Sequence, residues 1–161
     1  MGPLLTSLAG LVLLILGLMA WRSWRGREAG SRRGRLVETL TDPREAAAIL
    51  LVQIALLRGQ LSLDHKYQIM GEMERAFGIG TDDAEGLFSF GRMAVGQLDP
   101  MASLKRLLRP IHDRCTLDEM KDLVDMMGRV GEGEHGLNQR QRELLRKTRQ
   151  ALYLPAEPSD A

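Results

Sequence analysis

The chain has 161 residues and a formal net charge of +1, but that small figure hides two unequal parts. Residues 22–35 hold six arginines and one acid, whereas residues 36–161 hold 16 basic and 20 acidic side chains. The mildly acidic larger part argues against general nucleic-acid binding, and one cysteine, Cys115, excludes an intramolecular disulfide and agrees with a reducing compartment.

Pro3 to Ala20 carries no charge and includes eight leucines. At 1.5 Å per residue such a run gives roughly 27 Å of helix, close to the hydrocarbon thickness of a bilayer. Trp21 and Trp24 follow it, with rings suited to the headgroup region, and then come Arg22, Arg25, Arg27, Arg32, Arg33 and Arg35. The pattern predicts a transmembrane anchor over residues 1–21 and a basic, Gly/Ser-containing juxtamembrane linker over 22–41. The positive-inside rule puts the N-terminus outside and the larger part in the cytoplasm. A cleaved signal peptide is the rival reading. It calls for a basic n-region, which residues 1–7 lack, and an Ala-x-Ala-like site, which Leu18-Met19-Ala20 matches poorly.

The rest reads as helix upon helix, with no alternating strand pattern. Asp42-Pro43-Arg44-Glu45 is a helix start. The apolar run Ala46 to Leu57 behind it is too short to span a bilayer and reads as a central buried helix ended by Gly59. Ser62 opens a second helix with Leu63, Tyr67, Met70, Met73 and Phe77 on one inward stripe and Gly78 as its stop. Thr81-Asp82-Asp83 caps a third, Asp99-Pro100 a fourth that runs to Ile111, Thr116-Leu117-Asp118-Glu119 a fifth, and Asn138 a sixth. The expected fold class is therefore all-α: a transmembrane helix, then a compact bundle of about six helices over 42–153, with residues 154–161 as a tail. Of seven methionines in the bundle, the neighbours Met126 and Met127 cannot face one direction, so one of them is expected to be exposed.

Two helical hairpins read as a repeat. Their turns are Arg58-Gly59-Gln60-Leu61-Ser62 and Glu132-Gly133-Glu134-His135-Gly136-Leu137-Asn138. On these turns the chain resembles the TerB-like helical domain of tellurite-resistance proteins, whose recurring feature is an Ala-Asp-Gly-Glu-like turn, Leu, a capping residue and a following helix bearing Glu. The order of anchor, basic linker and such a domain is similar to the front part of membrane-anchored DnaJ-like co-chaperones of bacterial inner membranes. That resemblance implies an inner-membrane location and a role in envelope stress response or chaperone assistance. The departures are specific: Arg58 stands where the turn has an acid, Gln60 follows the glycine, and His65 and Gln141 occupy the places of the helix Glu. Those changes put in doubt any metal role attached to the acids. The His-Pro-Asp tripeptide of a J domain is missing.

Few residues suggest chemistry. Glu132, Glu134 and His135, set among glycines, are the one candidate metal constellation, against the plainer reading of an interhelical loop. Asp118, Asp122 and Asp125 recur at helical spacing as a solvated face, and Arg140, Arg142, Arg146, Lys147 and Arg149 make the last helix basic. Cys115 has only His112 as a neighbouring base candidate, and no P-loop, dinucleotide, zinc or serine-hydrolase motif occurs. The expectation is a membrane-tethered protein-interaction domain with no catalytic residues and no cofactor. Its partners are the lipid bilayer and a protein at the inner membrane, not nucleic acid. The alternative is a divalent-metal-responsive sensor.

Overall fold

The computed structural model describes residues 39–133 and 136–155. The predicted anchor, its membrane-interface tryptophans and arginines, Glu134, His135 and residues 156–161 lie outside the described residues. Among the described residues no helix is long and apolar enough to cross a membrane. Chain contacts divide the molecule between Arg35 and Leu36, and the described residues all belong to the second unit.

Seven helices are described: α1 (Pro43–Leu56), α2 (Leu63–Phe77), α3 (Thr81–Gln97), α4 (Leu104–Leu107), α5 (Arg109–Arg114), α6 (Leu117–Gly131) and α7 (Gln139–Ala151). No strand occurs among the described residues. The Asp42 carboxylate accepts the Arg44 N–H at 2.8 Å and starts α1, with Pro43 at the first helical position. The Arg44 guanidinium closes on the same carboxylate and holds it below its usual pKa against the opposing effect of burial. From Ala46 to Ala55 only Gln53 escapes full burial, so α1 is apolar on every side and central, as its sequence predicts. α2, α3, α5 and α6 all pack against it. Each fully buried Ile, Leu or Val of this helix contributes about 1.5–3 kcal/mol. α3 approaches closest, at Gly91: a β-carbon there would lie 2.8 Å from the Ala48 carbonyl oxygen.

Several expectations are corrected. Leu63 and Tyr67 are 63% and 60% exposed, because the core side of α2 is the face of Ile69, Met70, Glu72 and Met73, not a stripe through Leu63. Met126 and Met127 are both buried, since α6 has neighbours on more than one side in α1, α2 and α7. α1 ends at Leu56, and Gly59 serves the turn beyond it at φ +144°. Gly80, not the Thr-Asp-Asp group, is the N-cap of α3. The predicted fourth helix is two. Asp99 Oδ1 accepts the N–H groups of Met101 and Ala102 in a turn, and Pro110, which has no N–H to give to the carbonyl four residues back, separates α4 from α5.

Candidate functional site

The two repeated turns come together. α1 and α6 both deliver their C-terminal ends to one place, and a helix C-terminus presents unpaired carbonyls and a partial negative charge. Side chains from other elements meet them. Gln141, 1% exposed, donates from Nε2 to Ile54 O at 3.0 Å and to Gly131 O at 2.9 Å. Asn138 Nδ2 donates to Leu57 O at 2.9 Å, Arg58 Nη1 to Glu132 O at 3.4 Å, and Gln68 Nε2 to Arg129 O at 2.9 Å. The Arg58 guanidinium lies so close over Gly133 that a β-carbon there would overlap it. Its Nη1 is 3.5 Å from His65 Nε2.

His65 and Gln141, the two residues in the family's glutamate places, do the same local work. Each is the third residue of its helix and reaches back to the N-cap. Ser62 N–H donates to His65 Nδ1 at 3.2 Å, and Asn138 N–H donates to Gln141 Oε1 at 2.9 Å. The N-cap side chains answer, accepting the N–H of His65 and of Gln141.

A divalent cation needs several oxygen ligands, and the carbonyls of this niche already accept from three amides and a guanidinium; Glu134 and His135 lie outside the described residues. Glu132 presents its backbone carbonyl to Arg58, and its residue is exposed. Among the described residues no group of three or more His, Cys, Asp or Glu is arranged to hold a metal.

A second polar cluster abuts the niche and was not foreseen from sequence. Glu72 is buried on α2 and takes a two-pronged bond from Arg129 of α6, Nη2 to Oε2 at 2.8 Å and Nε to Oε1 at 3.1 Å. Arg75 adds a third bond at 3.1 Å. The Arg129 hydrogen bonds are the main reason its carboxyl is held below the usual pKa, overcoming burial. The only signal in the sequence is an acid set among Ile69, Met70 and Met73.

The remaining candidates stay apart. Asp118, Asp122 and Asp125 are exposed; Asp118 faces Lys121 at 3.5 Å and Asp125 faces Arg149 of α7 at 3.9 Å. Cys115 is half-buried, and burial first, then the Glu119 charge, pushes its thiol up, away from a reactive thiolate. His112 turns instead to the Tyr153 ring, edge-on at 5.9 Å between centroids.

On the side of α4, α5 and the end of α7 lies a groove of about 990 Å³. Leu104, Leu108 and Ala151 line its floor, and Lys105, Arg106, Arg109 and Lys147 line its walls with Asp113 the single acid. Residues 104–114 and 139–151 together hold nine basic side chains against two acids, in a domain that is otherwise acidic.

No curated protein and no solved structure matches the chain. The family described as Tellurite resistance protein TerB matches residues 44–161, all of the bundle from the first turn of α1 onward. With that match over most of its length and an all-helical fold behind it, the chain belongs to the TerB family.

Proposed function

We propose that this TerB-family bundle is a protein-binding domain held at the bacterial inner membrane by residues 1–21. There it acts in envelope stress response or chaperone assistance. The observation that carries the reading is the cationic groove beside α4, α5 and α7, a concave, partly apolar surface on an otherwise acidic domain. Confinement by an anchor raises the effective concentration of such a surface toward membrane partners without any new contact. The closed niche between the turns favours this over the metal-sensor alternative, because the backbone groups a cation would use are bonded within the protein.

Two measurements test it. Carbonate extraction of membranes should leave the full chain in the pellet and release a chain lacking residues 1–21. Photo-crosslinkers placed at Ala102 and Gln150, exposed residues that line the groove, should give the same few adducts in every preparation, and one at Asp118 should not. A chain washed off by carbonate ends the tether reading, and an absence of groove adducts ends the binding reading.

A further inference from the structure

The last turn of α7 stops in an uncommon way. Tyr153 N–H donates to Gln150 O at 3.2 Å and Leu154 N–H to Arg149 O at 3.0 Å, the paired bonds of a Schellman stop. That stop needs left-handed backbone just beyond the cap, a place that glycine usually fills at no steric cost. Here Tyr153 fills it at φ 58°, the one non-glycine residue with positive φ among the described residues. The turn carries Leu154 into the core, but the Tyr153 side chain gains no burial: it is 83% exposed, the most exposed large apolar residue described. Its ring meets the His112 ring edge-on and forms a wall of the groove. Backbone strain concentrates at functional sites, and tyrosine is enriched among the residues that carry binding energy.

The charges beside it are available. Among the described residues Lys105 and Arg106 are exposed and make no ion pair, while Arg109 reaches Asp113 only at 3.7 Å. We infer that the groove takes an acidic segment of a partner protein, with Tyr153 as the aromatic anchor and Lys105 and Arg106 as the charge clamp. The inference rests on the protein-binding reading above and names its partner chemistry. Charge complementarity selects an acidic occupant and speeds its encounter. The apolar floor calls for side chains between the acids, which a peptide supplies and a headgroup alone does not. A tyrosine loses little rotamer freedom on contact, which suits it to the anchor.

The test uses the full chain in neutral-detergent micelles and a fluorescein-labelled 16-residue helical peptide of Glu and Leu with one Trp. The control peptide has Gln for every Glu. The Glu peptide should bind with an affinity that falls as salt rises, and the control should bind at least about tenfold more weakly. Lys105→Glu with Arg106→Glu, both on the surface, should weaken binding about tenfold or more with helicity unchanged. Tyr153→Gly should raise Tm by a few degrees, by relieving the stop, while weakening binding about tenfold. A tyrosine with a purely structural role would lower Tm when removed and leave affinity alone. Absence of Glu-peptide binding, or equal binding by both variants, overturns the inference. Tighter, variant-sensitive binding of dihexanoyl-phosphatidylglycerol also overturns it and assigns the groove to lipid headgroups. Loss of a dimer in the same variants overturns it too and assigns the groove to a second copy. If Lys105→Glu with Arg106→Glu leaves the membrane crosslinking adducts intact, the groove inference fails and the binding reading stands; if wild type gives no adducts, the reading itself fails.

Discussion

Gln141→Glu is the sharpest test of how the two turns are held. The change is isosteric and keeps the oxygen that accepts the Asn138 N–H at 2.9 Å. It replaces the amide that donates to Ile54 O at 3.0 Å and Gly131 O at 2.9 Å with a second oxygen facing both carbonyls. With the side chain 1% exposed, water cannot take over. Each stranded carbonyl costs about 1–3 kcal/mol, so the loss is about 2–6 kcal/mol, a large part of a domain's usual stability. The ionised form also suffers from burial and from the carbonyl dipoles, so the folded-state pKa of the new carboxyl rises above its unfolded value of about 4.3. A raised folded pKa means that the variant keeps its stability below about pH 4 and loses it as pH rises through the folded value. Every tenfold change in the carboxyl's acidity on folding corresponds to about 1.4 kcal/mol. Urea denaturation of residues 36–161, followed by helical circular dichroism from pH 4 to 8, measures this. Gln141→Leu loses the same two donors without a charge and serves as the flat reference. A Gln141→Glu penalty below about 1 kcal/mol, or one parallel to Gln141→Leu across the range, would refute the reasoning.

Other outcomes follow from the same contacts. Glu72→Gln should cost about 1–3 kcal/mol at pH 7, toward the low end because Arg129 is half exposed. Since the folded pKa of Glu72 is depressed, that difference should hold above the usual glutamate range and shrink as pH falls below it toward the depressed folded value, which paired pH titrations of stability would show. Gly91→Ala should cost about 1–3 kcal/mol by driving α3 off the Ala48 carbonyl, read as a lower denaturation midpoint. Leu63→Glu with Tyr67→Glu should change stability by no more than about 0.5 kcal/mol per site, because both side chains face solvent; a larger loss would restore the inward stripe. Millimolar calcium, magnesium or zinc should leave the wild-type Tm within about 1 °C, and a clear rise would revive the metal-sensor alternative.

The helices were legible because their signals are local. Asp42-Pro43, Ser62, Thr116 and Asn138 each cap a helix at the place the sequence predicts, with bonds from their own side chains. The central position of α1 was legible for a related reason: a helix apolar on every side has to be surrounded. What failed was the choice of face. Leu63 and Tyr67 satisfy the spacing rule as well as Ile69 and Met73 do, and only the positions of α1, α3 and α6 decide which side of α2 is covered. The same holds for Met126 and Met127, whose burial depends on how many neighbours α6 has. The polar contacts were the least legible part. The bonds of Gln141 to Ile54 and of Arg129 to Glu72 join residues 87 and 57 positions apart, and no local pattern encodes them. Tyr153 was invisible for a different reason, since its backbone angle is unusual and glycine is the residue that signals such a stop.

The departures from the family's acidic turn now have a physical account. In both hairpins the residue in the glutamate place still closes a capping box, so the local geometry of the repeat persists without its charge. What the acids would have offered to a cation is replaced by donors aimed at the carbonyls themselves. The exchange is reciprocal: Asn138 of the second turn bonds the end of α1 through Leu57, and Arg58 of the first turn bonds the end of α6 through Glu132. Gln141 spans the two, holding one carbonyl from each helix. A guanidinium and two amides thus supply, from within the chain, the positive ends that two converging helix C-termini require. The ends of α1 and α6 are joined in this way by donors that the chain itself supplies.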